Sequence, residues 1–76
     1  MANLSLANLY RADLSGADLS GAKFYGAALT NANLYNADLS LATISEEQLN
    51  DALLCKTKLP DGKTVSDRDC KKLGIN

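Results

Sequence analysis

The sequence predicts an all-β solenoid, in which the chain coils around its own core and a short α-helical cap closes the C-terminal end. Three observations predict this fold class: a five-residue apolar period, Gly and Asn at the predicted bends, and a change to a helical pattern near residue 45. These observations divide the chain into a repeat segment, 2–45, and a cap segment, 46–76, within one compact unit.

The repeat begins at Ala2, and every unit starts with Ala. Two residues later comes an apolar side chain that we expect in the core: Leu4, Leu9, Leu14, Leu19, Phe24, Leu29, Leu34, Leu39 and Ile44. A helix, which turns about 100° per residue, would spread these side chains around its axis. A single strand would send them alternately to opposite faces. Each unit is therefore predicted to be a short extended segment followed by a bend, so that all units turn the same face inward.

The last position of many units carries a residue that tolerates a tight bend. Gly and Asn adopt the left-handed backbone conformations that other residues resist. They occupy this position at Gly16, Gly21, Gly26, Asn31 and Asn36. The position between Ala and the core residue is mostly Asn or Asp, which we expect to face solvent.

The segment from about residue 2 to residue 46 resembles the pentapeptide repeat family, whose units read A(D/N)LXX. The resemblance implies a right-handed quadrilateral β-helix with one unit on each side of a coil. Residues twenty apart would then stack, as Leu4, Phe24 and Ile44 do on one side, and the repeat would make about two coils. The resemblance also points to cyanobacteria, where such proteins are abundant and mostly of unknown role.

The five-residue period is predicted to end after residue 44. Ser45, followed three residues later by Gln48, has the pattern of a capping box. Helical apolar spacing follows at Leu49, Ala52 and Leu53. These signals predict a helix over about 46–56 that lies across the open end of the last coil, where a solenoid needs cover. A helix that binds a partner protein is the alternative.

Beyond that helix, Pro60-Asp61-Gly62 indicates a turn, and a second short helix is predicted from Ser66 to about Leu73. The stretch LCKTKLPDGKTVSDRDC resembles the tails that follow pentapeptide repeats in cyanobacterial proteins, which form a small helical cap closed by a disulfide. The resemblance implies a disulfide between Cys55 and Cys70; two buried free thiols are the alternative.

The compartment depends on that pair of cysteines. A disulfide would indicate an oxidising compartment such as the thylakoid lumen or the periplasm. A complete, reduced chain without a signal peptide would indicate the cytoplasm. The localisation therefore stays open between these two.

The composition excludes several kinds of site. The chain has no His, and its eight basic and nine acidic residues leave a net charge of −1. Triads and metal sites that use His are therefore excluded, and a basic nucleic-acid interface is not expected. No apolar stretch is long enough to insert into a membrane. Asp18 and Asp38 alone supply too few ligands for Ca²⁺, so we expect no metal, no cofactor and no enzyme activity.

Two functions remain. The first is a non-catalytic structural or protein-interaction module with an unknown protein partner. The alternative is a DNA-mimic regulator that binds a topoisomerase through an acidic β-helix face, as some proteins of the family do. Tyr10, Tyr25 and Tyr35 are predicted to be partly exposed, as interface residues or as ordinary residues of a β-type surface.

The first coil is predicted to have an open end. An uncovered backbone edge favours pairing with another chain. We therefore expect a homo-oligomer through the face that carries Leu4, Leu6, Leu9, Leu14 and Leu19. The alternative is that the sequence is a fragment of a longer repeat protein.

Overall fold

The structure is a computed structural model that describes residues 2–75. Its main feature is a set of parallel bridges between residues twenty positions apart, which arranges the chain in layers: 2–21, 22–41 and 42–61. The bridges between the first two layers are Asn3↔Lys23, Asn8↔Ala28, Asp13↔Asn33 and Asp18↔Asp38.

Backbone hydrogen bonds join the layers in a repeating exchange. The N–H of Leu4 donates to the carbonyl of Lys23 at 2.8 Å, and the N–H of Lys23 donates to the carbonyl of Ala2 at 3.0 Å. Between consecutive units, the N–H of Ala7 donates to the carbonyl of Leu4 at 3.1 Å and closes the bend. The same exchange recurs at Leu9, at Leu14 and at Leu19. Because each unit finds partners in the next layer, backbone groups alone join the layers to one another.

The core lies mainly in the second layer, which has a neighbour on each side. Its buried apolar residues are Ala22, Phe24, Ala27, Leu29, Ala32, Leu34, Ala37 and Leu39. In the first layer Leu19 is buried, whereas Leu4, Leu9 and Leu14 are half-buried and pack against this core. Ile44 of the third layer is also half-buried. The inward columns of Ala and larger apolar residues therefore follow the five-residue period.

The bends use a left-handed backbone at the last position of the unit. Positive φ occurs at the five Gly and Asn positions predicted for it, between Gly16 and Asn36. It also occurs at four residues that resist it: Leu6, Arg11, Leu41 and Lys56. A residue with a side-chain Cβ is strained in this conformation by roughly 1 kcal/mol. The geometry of the ladder therefore overrides local preference at these bends.

Helix α1 spans Glu46–Asp51, which is shorter than the predicted 46–56. The capping box is confirmed, because the Ser45 Oγ accepts the N–H of Gln48 at 3.1 Å and the Gln48 Oε1 accepts the N–H of Ser45 at 2.9 Å. The helix ends at Asp51, and the backbone of the next residue, Ala52, is extended. It ends there because the ladder resumes: the N–H of Leu53 donates to the carbonyl of Ala32 at 2.8 Å.

The prediction that the period ends after residue 44 is wrong. Leu53 bridges to Asn33, and Lys58 bridges to Asp38, both twenty residues away. The ladder therefore has three layers rather than about two, and α1 takes the place of one unit in the third. The inward positions keep the five-residue register at Ala52, Leu54, Thr57 and Leu59.

Thr57 stands where most units have Ala, and it is fully buried. Its hydroxyl donates to the carbonyl of Leu34 at 2.7 Å and accepts the N–H of Cys55 at 3.1 Å. A buried hydroxyl that is paired in this way does not disturb the core.

The tail after the third layer folds back as a hairpin and turns. Strand β1, Thr57–Lys58, pairs antiparallel with strand β2, Val65–Ser66. The prediction of a second helix from Ser66 to about Leu73 is wrong, because Ser66 is in β2 and residues 68–74 form turns. The cap is therefore a hairpin and turns together with α1. The division into segments 2–45 and 46–76 stays a prediction, and the ladder runs across it.

Replacing Leu41 with Asn should stabilise the protein. Leu41 has a φ of 61°, and its side chain is 81% exposed. Asn tolerates this backbone and gives up little burial, so we expect the free energy of unfolding to rise by about 0.5–1 kcal/mol. Thermal unfolding followed by circular dichroism measures the change. Leu41→Ala is the control, since it removes the side chain but keeps the strain; a Leu41→Asn protein no more stable than Leu41→Ala would contradict the interpretation.

Candidate functional site

The outward Asp residues of the repeat hold the bends. Asp13, Asp18 and Asp38 each accept a hydrogen bond at 2.6 Å from the hydroxyl of the Ser two residues later. Each also accepts the backbone N–H of that Ser, at 2.9–3.1 Å. The Ser hydroxyl, followed by the Ser N–H, lowers the pKa of each carboxyl group. These carboxylates therefore have structural partners within their own units.

The acidic side of the ladder is two residues high. Asp18 and Asp38 are bridge partners, and the next residue of the same column is Lys58. The charge of Lys58 adds to the effect of Ser40 in lowering the pKa of Asp38. The third layer therefore interrupts the negative surface that the first two layers begin.

The three Tyr residues differ in exposure. Tyr10 is 53% exposed and Tyr25 is 61% exposed, while Tyr35 is half-buried. The guanidinium of Arg11 lies 5.4 Å from the centre of the Tyr10 ring, within cation–π distance. Tyr25 is therefore the most exposed aromatic side chain among the described residues.

Two carboxylates of the tail close the edge of the third layer. Asp69 is buried; its Oδ2 accepts the N–H of Leu54 at 3.0 Å, and its own N–H donates to the carbonyl of Leu54 at 2.7 Å. The Oδ1 of Asp67 accepts the N–H of Lys56 at 2.9 Å. The equivalent N–H one layer below, that of Leu34, donates to a carbonyl of the third layer. The two carboxylates thus replace carbonyls that a fourth layer would supply.

Arg68 fixes this tail to the end of α1. It pairs with Asp69 at 2.7 Å and donates to the carbonyls of Leu49 and Ala52, while Lys72 lies 3.7 Å from Asp69. Burial alone would raise the pKa of Asp69. The hydrogen bonds that its carboxylate accepts and the two cations outweigh burial, so the pKa is lowered.

Cys55, in the third layer, lies against Cys70, in the tail. Their sulfurs lie at disulfide distance from each other, and their Cα atoms are 4.8 Å apart. Among residues 2–75 they form, with Asp67, the only group of three metal-ligating side chains within mutual reach. Since Cys55 belongs to the third layer and Cys70 to the turns of residues 68–74, the pair joins these two parts of the chain.

An open groove lies beside α1. It is lined by Tyr25 and Ile44 and, on the side of the helix, by Glu47, Gln48 and Asp51. The side-chain amide of Gln48 anchors the helix wall, since its Nε2 donates to the carbonyls of Phe24 at 2.6 Å and Ala27 at 3.0 Å. The groove exists because a helix occupies the place of an extended unit in this layer.

The open end predicted for the first layer has mixed exposure. Leu6 is 83% exposed, whereas Leu19 is buried against the second layer.

Among the described residues, no helix has the length and apolar character needed to cross a membrane.

The sequence interpretation missed the closing role of Asp67 and Asp69 and the groove beside α1. The signal for the third layer was present, because Ala52 and Leu54 keep the register that began at Ala2. That register places Leu54 in the last layer, where its backbone N–H needs an acceptor. The acidic residues Asp67 and Asp69 follow in the tail and could have been recognised as such acceptors.

Acid should destabilise the protein through its lowered carboxyl pKa values. Hydrogen bonds from Thr64 and then Lys63 lower the pKa of Asp61 from 3.8 to about 2, and the pKa of Asp69 is lowered as well. Between about pH 2 and about pH 4 the folded chain therefore binds fewer protons than the unfolded chain. The stabilisation is present above about pH 4 and is lost as the pH falls toward about 2.

Urea unfolding across that pH range measures the effect. Asp69→Asn should flatten part of the pH dependence, while Glu46→Gln, a change on the surface of α1, is the matched control. A free energy of unfolding that rises on acidification would refute the assignment.

Comparison with known proteins agrees with the repeat. A profile of the family described as pentapeptide repeats matches residues 2–46 in eight copies. No curated protein matches the chain, and no solved structure does. The family implies a β-helix, and its matched region covers more than half of the 76 residues. The chain therefore belongs to the pentapeptide repeat family.

Proposed function

We propose that this chain is a non-catalytic structural or protein-interaction module, built as a right-handed quadrilateral β-helix. The observation that carries the proposal is the twenty-residue backbone ladder. Because backbone groups join the layers, most outward side chains are not needed to hold them together. Such a frame presents fixed columns of side chains to another protein.

The use of the polar side chains supports this function over catalysis. The outward carboxylates of the repeat accept hydrogen bonds from Ser, and those of the tail accept from the third layer. General acid–base catalysis needs a titratable group within reach of a bound substrate. These carboxylates instead hold bends and close an edge, and the family suggests a structural or interaction role.

The alternative function is a DNA-mimic regulator of a topoisomerase. Its support is the stacked pair Asp18 and Asp38. Lys58 ends that acidic column in the third layer, and a continuous negative surface is what a DNA mimic needs. The interaction module is therefore the better supported of the two functions.

Site-specific crosslinking tests the interaction module. A photo-reactive phenylalanine placed at Tyr10, Tyr25 or Tyr35 should give a discrete adduct with one protein of the source organism, from one position and not from all three. Mass spectrometry identifies the adduct. A DNA gyrase supercoiling assay runs in parallel, and inhibition by stoichiometric protein would favour the alternative function. No adduct from any position, or the same adducts from all three, would contradict a specific interaction face.

Self-association through the first layer is part of the same proposal. The half-buried Leu4, Leu9 and Leu14 gain apolar contact if a second copy covers them. Sedimentation velocity should then show a weight-average mass that rises with protein concentration. Leu9→Lys should return the mass to that of a monomer, and a wild-type chain that stays monomeric at millimolar concentration would rule the association out.

A further inference from the structure

The groove beside α1 combines an aromatic wall with a fixed helix wall. Tyr25 is largely exposed, and the half-buried Ile44 lines the groove with it. On the other side, the hydrogen bonds of Gln48 to the second layer hold the helix in place. The groove is therefore formed before any partner arrives, which lowers the entropic cost of binding.

The helix wall of this groove is acidic. Glu47 and Asp51 both line it, and they are four residues apart, on one face of α1. The helix has no basic residue in its last turn. The ion pairs found among residues 2–75 both belong to Asp69, so neither groove carboxylate has a cationic partner there. Asp51 also stands at the negative end of the helix, where a cation is favoured.

Leu6 adds an exposed apolar side chain next to the groove. A Cβ at Gly26, which lines the groove, would be 2.9 Å from the Cδ2 of Leu6, so this side chain leans over the Gly26 bend. Leu6 has a φ of 63° and is 83% exposed. Gly or Asn at this position would remove this strain with little loss of burial. An apolar group that covers Leu6 would compensate for its exposure.

We propose that the groove binds an extended segment of a partner protein in which a Lys or Arg stands next to an apolar residue. The cation would lie between Glu47 and Asp51 with its aliphatic stem against Tyr25, and the apolar neighbour would cover Leu6. This proposal rests on the interaction-module function and names the surface and the chemistry of its partner. Charge complementarity selects this occupant over an acidic or neutral segment.

The test uses the blocked peptide acetyl-Leu-Arg-Leu-Arg-amide and the neutral peptide acetyl-Leu-Gln-Leu-Gln-amide. Each is titrated into the ¹⁵N-labelled full chain and followed by amide chemical shifts. The basic peptide should shift residues of the groove, within 25–27 and 43–51, with a dissociation constant on the order of 1 mM. Raising the NaCl concentration from about 50 mM to about 500 mM should weaken binding of the basic peptide, because salt screens the exposed carboxylates of the groove.

Two matched pairs of variants locate the site. Glu47→Gln should weaken the basic peptide about threefold, and Glu47→Gln with Asp51→Asn about tenfold, whereas Glu46→Gln, outside the groove, should leave it unchanged. Leu6→Asn should weaken binding. Leu41→Asn, which relieves the same kind of strain at a bend that does not line the groove, should leave binding unchanged. Amide spectra of each variant confirm that it is folded.

Several outcomes would overturn the proposal: no shifts at millimolar peptide, equal binding of the neutral peptide, or equal effects of Glu46→Gln and Glu47→Gln. Groove shifts that appear with protein concentration alone would assign the groove to a second copy of the chain. The proposed function has a separate readout. If crosslinking finds a specific partner at Tyr10 or Tyr35 while the peptide does not bind, the interaction module stands and this groove is not its site.

Discussion

The exchange of backbone hydrogen bonds between residues twenty apart is the constraint on which the structure depends. Along most of the first two layers the central residue donates to the layer above, as Leu4 does to Lys23, and the partner layer donates back. Parallel pairing of this kind fixes both the spacing of the layers and the side to which each residue points. The inward Ala and Leu columns, the outward Asp and Asn, and the left-handed bends are consequences of this register.

Such a ladder must end, and its last layer is closed by two different means. Along part of the third layer, the carboxylates of Asp67 and Asp69 accept the N–H groups that point away from the second layer. Along another part, α1 bonds its own backbone, and Gln48 reaches down to the second layer. A buried backbone N–H without an acceptor is costly, so the tail supplies acceptors where no further layer follows.

The repeat was predictable because a five-residue period is incompatible with one helix or one strand. Its inward residues and its Gly and Asn bends follow directly from that period. The third layer was not predicted, because the helical spacing of Leu49, Ala52 and Leu53 masks the continuing register. The helical spacing predicted an α1 that is too long. Its last predicted turn instead pairs with the second layer, through Leu53. The groove could not be predicted either, since it depends on how the helix sits against Tyr25.

The substitution of one unit by α1 leaves the length of the chain between layers unchanged. Leu53 still meets Asn33, although a helix precedes it. The number of residues between stacked positions is therefore fixed in multiples of five. The identity of the residues at those positions is less constrained. Loss or gain of a single residue before Thr57 would move the later inward Ala and Leu residues out of register with their columns. Length changes during the evolution of such a chain are therefore confined to whole units, while the secondary structure within one unit is free to change.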